Sequence, residues 1–190
     1  MMPNNLFQMK TETRPLGDKL VTLEPADTRN VELLVRWTLD PIAQGPHKRV
    51  PDMTADELRT LFLDNPDRQY FLIRRSANEH PLGRFYWRAW RFSESLEEID
   101  WELNIFLADP LERGKGYGAT VQRLASDYLL ALPETRSVFA FTFLANVAEQ
   151  RALLKAGFRD EGLLPHSPYP VHRAELSEQP CLLFVKPRCA

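Results

Sequence analysis

Three glycines in five residues, Gly114, Gly116 and Gly118, separate an apolar run from an amphipathic one in "IFLADPLERGKGYGATVQRLASDYLLAL". Glycine admits positive φ and lets a ligand come close to the backbone. The free N–H groups and the dipole at the start of a following helix favour an anion such as a pyrophosphate. Arg113 and Lys115 add positive charge at the same point. On these residues alone, an anion cradle and a plain tight turn with solvated basic side chains both stay open. A row of acids precedes the glycines. In "LEEIDWELNIFL" (96–107), Glu98, Asp100, Glu102 and Asn104 alternate with Ile99, Trp101, Leu103 and Ile105, so a strand here carries three acids on one face. A central strand covered by helices tolerates such a row where that face borders a cleft, or where its first half projects into water. In a cleft, neighbouring carboxylates raise the pKa of one member and attract a cation.

Common nucleotide signatures do not account for the glycines. No GxxxxGK[ST] P-loop is present. Gly114, Gly116 and Ala119 do fit G-x-G-x-x-[G/A], but the next strand, "FAFTFLAN", ends in Asn146 rather than in an acid for a ribose. The motif also falls past the middle of the chain, with too few βα units left for a dinucleotide domain.

The elements that must hold these residues follow from periodicity. "KLVTLEPAD" (19–27) reads as a strand, and Val31, Leu34, Val35 and Thr38 recur at helical spacing up to Pro41. A loop over 41–53 leads to "TADE" (54–57), a capping box ahead of Leu58, Leu61 and Phe62 in a helix ended by Pro66. "QYFLIRR" (69–75) and "PLGRFYWRAWRF" (81–92) are strands joined by a turn at Asn78 and Pro81. The aromatics of the second should face the core and its arginines solvent. Past the 96–107 strand and the glycines, Val121, Leu124, Ala125, Tyr128 and Leu132 form a helical stripe closed by Pro133. "SVFAFTFLA" (137–145) is a buried strand. "NVAEQRALLKAGF" (146–158) is a helix capped by Asn146, with Glu149 reaching back and Gly157 as its stop. A loop rich in proline and histidine (163–172) precedes a last strand, "PCLLFVKP" (180–187). The order predicts an α/β (α+β) fold, a mixed, mostly antiparallel central sheet of about six to seven strands flanked by helices on both faces.

Composition narrows the classes of function. The 190 residues suit a single domain, with 1–16 as a flexible N-terminal segment. Hydrophobic residues at 44% and charged residues at 26% are enough for a real core. A formal net charge of −2 lacks the basic footprint of a nucleic-acid binder. No apolar run is long enough for a membrane helix, and the N-terminus lacks a signal-peptide core, so a cytoplasmic protein is expected. Cys181 and Cys189 flank "LLFVKPR", too far apart to bridge along a strand, and are expected as reduced thiols. His47, His80, His166 and His172 show neither HExxH nor cysteine-paired spacing, so no metal site is expected.

Two motifs, in order and on the predicted elements, carry a family resemblance. Arg113-x-x-Gly116-x-Gly118 matches a Q/R-x-x-G-x-G/A signature, and Asn146, followed after ten residues by Gly157-Phe158, matches its strand-to-helix companion. The chain thereby resembles the GNAT superfamily of acyl-CoA-dependent N-acetyltransferases. "LADPLERGKGYG" and "LLKAGF" look closest to the branch that acetylates ribosomal protein N-termini, the RimJ/RimL-like enzymes. The resemblance is strong over residues 96–160, the expected acyl-CoA-binding core, and rests on element order alone over 19–95. It implies acetyl-CoA as co-substrate, in an opening between the fourth and fifth strands. It implies that the backbone at Ile105, Phe106 and Leu107 pairs with the pantetheine arm and polarises the thioester. Backbone amides of Arg113, Gly114, Lys115, Gly116, Tyr117, Gly118 and Ala119 would hold the pyrophosphate. Asn146 would contact the pantetheine, although a helix cap explains it equally well. The family reaction is direct attack of a neutral amine on the thioester in a ternary complex, and an amine with a lysine-like pKa must first lose a proton. Glu102, eleven residues before Arg113, is the candidate base, because some members carry a catalytic glutamate at that offset.

One position departs from the pattern. Many members place a tyrosine seven residues after the asparagine to protonate the leaving sulfur; here that residue is Leu153, and nothing places Tyr117 or Tyr128 at the thiol. An acyl-CoA-binding domain with little or no turnover is therefore a second expectation. The acceptor is expected to be a primary amine, on a protein N-terminus or a small molecule. Asp100, Trp87 and Trp90 are candidate acceptor contacts, with Tyr169 and His166 in one of two loops that set specificity. Neither a nucleic-acid nor a membrane partner is expected, while homodimers are common in the resembling branch.

Overall fold

Helical stripes and strand alternation account for most elements of the computed structural model, which describes residues 16–46, 50–66, 68–90, 98–164 and 180–188. The chain forms two compact units interleaved in sequence: one runs to Arg88 and resumes over Phe106–Glu112, the other comprises Ala89–Ile105 and the chain from Arg113. The expected flexible segment, Cys189 and residues 165–179 lie outside the described residues, except that Leu16 already belongs to a strand.

In the first unit, β1 (Leu16–Gly17), β2 (Val21–Pro25), β3 (Arg68–Arg75) and β4 (Pro81–Trp90) pair antiparallel in that order. α1 (Val31–Leu39) buries Val31, Leu34, Val35 and Thr38, the stripe that its spacing predicts. Pro41 does more than end α1. It opens a short α2 (Pro41–Gln44) at the first helical position, where its missing N–H costs nothing, and Asp40 caps it by accepting from the Ile42 N–H at 2.8 Å. Gln44 then donates to the carbonyls of Trp37 and Thr38, which the end of α1 leaves without helical partners. α3 (Ala55–Leu63) begins at the predicted capping box: Thr54 Oγ1 accepts from the Glu57 N–H at 3.3 Å and the Glu57 carboxylate accepts from the Thr54 N–H at 2.7 Å. Leu34, Leu58, Phe62, Tyr70, Leu72 and Tyr86 form the core between these helices and one face of β3 and β4. The opposite face is apolar as well, with the rings of Phe71, Phe85 and Trp87 packed at 4.5 to 5.9 Å. β4 is thus covered on both sides, and the expected division into an aromatic core face and a solvated arginine face does not hold for it.

The second unit contains β5 (Ile99–Leu107) through Ile105, α4 (Tyr117–Leu130), β6 (Thr135–Phe143), α5 (Val147–Lys155), β7 (Arg159–Leu164) and β8 (Cys181–Pro187). β6 pairs with β5 in parallel and with β8 antiparallel, and β7 pairs antiparallel with β8. Along the chain as a whole the strand order is β1-β2-β3-β4-β5-β6-β8-β7, a mixed, mostly antiparallel sheet of eight strands. The strands beyond those read from the sequence are β1, only two residues long, and β7. β7 is an edge strand with Arg159, Asp160, Glu161 and Leu163 all exposed, so no alternating apolar face signals it.

α4 buries Val121, Gln122, Ala125, Ser126 and Leu129 rather than a stripe through Leu124 and Tyr128, and it ends at Leu130. The two polar members of that face find partners inside: Gln122 donates to Glu149 at 2.5 Å, and Lys186 Nζ donates to Ser126 Oγ at 3.0 Å. Asn146 caps α5 by accepting from the Glu149 N–H at 3.3 Å; the Glu149 carboxylate, expected to reach back to the cap, accepts from Gln122. α5 ends in a Schellman motif. Gly157 has φ 89°, its N–H donates to the Leu154 carbonyl, and the Phe158 N–H donates to the Leu153 carbonyl, both at 3.1 Å. Leu153 and Phe158 are buried, as the apolar pair of that motif should be. Among the described residues no helix is long and apolar enough to cross a membrane.

Candidate active site

The three acids on one face of β5 meet three different environments. Glu98, just ahead of the strand, is exposed. Asp100 is buried and fully engaged: Arg136 donates to one carboxylate oxygen from Nε at 3.0 Å and to the other from Nη2, and Ser137 Oγ donates at 2.5 Å. A bidentate guanidinium offsets the cost of burying a carboxylate better than a point charge does. The same hydrogen bond holds Arg136 above the ordinary arginine value. Asp100 therefore fastens β5 to the start of its parallel neighbour rather than offering a charge to a ligand. Glu102 is 0% exposed and accepts from the Trp90 indole N–H at 2.8 Å. The register between β5 and β6 runs to the Glu102↔Phe139 pair, while that between β6 and β8 runs to Phe143.

The glycine stretch divides into two roles. Gly114 and Gly116 have φ 78° and 89°, a region strained for any residue with a Cβ, and a Cβ on either would meet nothing within 4 Å. Gly118 instead faces Ala152 Cβ at 3.9 Å, so it serves the approach of α4 to α5. Gly116 is the N-cap of α4. Among the described residues, no acceptor exists for the N–H groups of Gly114, Gly116, Gly118 and Ala119. Four donors thus gather at the positive end of a 14-residue helix. Arg113 is half-buried and Lys115 exposed, while Tyr117 turns inward at 6% exposure. Asn146 gives its Oδ1 to the cap of α5, and its Nδ2 has no partner among the described residues.

In the first unit, the end of β5 is set by a glycine that the sequence reading passed over. A Cβ on Gly83 would lie 2.1 Å from the Phe106 carbonyl oxygen and 2.9 Å from Leu107 Cα. Only glycine lets β4 come this close, and a lone glycine inside a strand is the signal that would have found it. The Ala108 N–H donates to the Leu82 carbonyl at 2.9 Å beside it. Phe106 is buried among Ala43, Ala108 and Trp37, whose ring meets it edge-on at 6.5 Å. Ile105, on the other side of the unit boundary, and Leu107 are half-buried. Of the tryptophans expected to meet an acceptor, Trp87 packs on Phe71 and Phe85 at 4% exposure, which makes it core, and Trp90 holds Glu102.

Leu153, at the position where the resemblance would place a hydroxyl, is 0% exposed and part of the α5 stop. Among the described residues no cluster of histidine, cysteine and acidic side chains is arranged for a metal ion. His80 is exposed and Cys181 is buried and in no disulfide; His47, His166, His172 and Tyr169 lie outside the described residues.

The family model described as "Acetyltransferase (GNAT) domain" matches residues 20–159. The chain belongs to the GNAT acetyltransferase family. Solved structures share its fold at low identity. An acetyltransferase of the GNAT family from Bacillus anthracis aligns over 92% of this chain and 99% of its own, with 14% identity and a TM-score of 0.71. The aminoglycoside acetyltransferase AAC(6')-Ib, in complex with coenzyme A and kanamycin, aligns over 88% and 95%, with 18% identity and a TM-score of 0.70. RimL, a ribosomal L7/L12 alpha-N-protein acetyltransferase in complex with coenzyme A, aligns over 92% and 98%, with 13% identity and a TM-score of 0.71. None of the curated proteins compared by sequence matches the chain.

Proposed function

We propose that the protein moves the acetyl group of acetyl-CoA to a primary amine within a ternary complex. The observation that carries this reading is the set of four unpartnered amide N–H groups over 114–119, on a turn whose first two glycines have open space beside them. A pyrophosphate takes up such donors at a helix start. In this reading the backbone from Ile105 to Leu107 carries the pantetheine arm, Gly83 fixes the strand that does so, and Asn146 Nδ2 donates to it. The coenzyme supplies an acyl group activated as a thioester. The acceptor ammonium first gives one proton to Glu102; the neutral nitrogen attacks the carbonyl carbon, the C–N bond forms, the C–S bond breaks, and sulfur leaves with the electron pair and takes up, directly or through water, the second proton that the new amide nitrogen sheds. Glu102 has no exposed surface, so the proton reaches it through a water, with the Trp90 indole orienting the carboxylate. Because the motifs look closest to the ribosomal-protein branch, protein N-termini stand beside small amines as acceptors.

A second reading, an acyl-CoA-binding domain with little turnover, is favoured by Leu153, which leaves no hydroxyl where many members protonate the sulfur. Following thiol release from acetyl-CoA with spermidine, an aminoglycoside and peptides with free N-termini separates the two. Amine-dependent release supports the transferase. Coenzyme binding without release for any amine supports the second reading, and neither binding nor release sinks both.

A further inference from the structure

The first unit holds a half-buried arginine without an acid. Arg84, on β4, has its Cζ 5.2 Å from the Phe62 ring centroid, 5.6 Å from that of Tyr70 and 5.5 Å from that of Phe106. The rings belong to α3, β3 and β5, so the guanidinium is walled by aromatic faces from three elements. Among the described residues, no carboxylate, carbonyl or hydroxyl accepts a hydrogen bond from it. Two arginines of β3 in the same unit differ: Arg74 pairs with Glu24 and Arg75 with Glu112, each at 2.6 Å. Loss of hydration holds Arg84 below the ordinary arginine value, and repulsion from Arg68 adds to it. Its charge nonetheless persists at neutral pH. Cation–π contacts replace part of the lost hydration, but they give its five N–H donors no acceptor.

We infer that Arg84 is the anion-recognition residue of the acceptor site, and that the acceptor amine carries a carboxylate which Arg84 binds in bidentate form. The inference rests on the transferase reading, through Phe106: this residue forms one wall of the cage and is one of the three β5 residues assigned to the pantetheine arm. A carboxylate suits the cage because a planar monoanion is matched by one planar guanidinium, whereas a phosphate dianion would leave net charge among apolar walls. A polyamine or an aminoglycoside would bring only positive charge to a fixed positive charge. Amino acids and related carboxylated amines are therefore the acceptor class.

The test compares matched amines on the full chain with acetyl-CoA: leucine against leucinamide, 4-aminobutyrate against 4-aminobutanamide, with phosphoethanolamine and spermidine as further arms. The acid should exceed its amide in kcat/KM by about 10²-fold, the scale of a charged hydrogen-bonded contact. Arg84→Met, which keeps an apolar stem and removes the charge, should bring that ratio to near one, while Arg84→Lys should retain part of it. Equal kcat/KM for acid and amide in the wild type overturns the inference. So does a ratio unmoved by Arg84→Met, or a preference for phosphoethanolamine or spermidine. Should no amine be acetylated, the transferase reading fails by itself. The anion site is then judged by calorimetry with butyrate and butyramide in the presence of coenzyme A. Butyrate binding that disappears in Arg84→Met upholds it, and absence of butyrate binding by the wild type overturns it.

Discussion

Asp100 and Glu102 lie two residues apart on one face of β5, both buried, and different groups donate to them. At the foot of the strand, Asp100 receives a two-pronged guanidinium and a hydroxyl, so its charge is neutralised and its oxygens are occupied. Further along, opposite Phe139 of β6, Glu102 receives a neutral indole N–H. The sequence pattern makes these residues equivalent, but their partners do not. A buried charge with a complete set of counter-groups is a fastener, whereas the role proposed for Glu102 asks its carboxylate to take a proton from the acceptor.

The largest effect should separate the two roles. Glu102→Gln keeps an oxygen for the Trp90 indole but cannot accept a proton, so turnover should fall ~10²–10⁴-fold with coenzyme affinity preserved. Steady-state rates across pH check this, and wild-type turnover at every pH would remove Glu102 from the role of base. Asp100→Asn should do the reverse. It sets an amide N–H₂ against the Arg136 guanidinium and should lower stability by about 2–3 kcal/mol, the low side of a broken buried pair because Arg136 is partly exposed. Denaturant midpoints measure it. A stable Asp100→Asn enzyme with much reduced turnover would erase the distinction.

Smaller effects test the scaffold on either side. Gly83→Ala places a methyl group against the Phe106 carbonyl and should cost about 1–3 kcal/mol, the range for overpacking. It should also raise KM for acetyl-CoA by moving the β5 backbone; an unchanged KM would detach Gly83 from the coenzyme. Thr54→Ala, which removes the capping box of α3, should cost about 1 kcal/mol without touching kinetics.

Long stripes with clear stops were legible: α1, α3, the Asn146 cap and the Gly157 stop follow from spacing and turn chemistry. α2 was not, because Pro41 reads as a terminator unless Asp40 is recognised as the cap of a new turn. The buried face of α4 was misjudged because Gln122 and Ser126 go inside on partners contributed by distant Glu149 and Lys186. β7 is polar at an edge and carries no period. In the candidate site, the glycine turn and Glu102 stand out by residue type. The satisfaction of Asp100 and the isolation of Arg84 do not, since both depend on Arg136, Phe62 and Tyr70 arriving from elsewhere in the chain.

The most direct measurement is thermal unfolding of the wild type and of Gly116→Val with acetyl-CoA, coenzyme A, NAD and ATP at one large excess. A ligand at a hundred times its Kd adds about 2.7 kcal/mol, enough to raise the midpoint by a few degrees. The glycine turn as pyrophosphate cradle predicts a rise with acetyl-CoA and coenzyme A alone, lost in Gly116→Val, whose side chain would fill the open space beside that residue. No rise with either form of the coenzyme, or an equal rise with NAD or ATP, would contradict it.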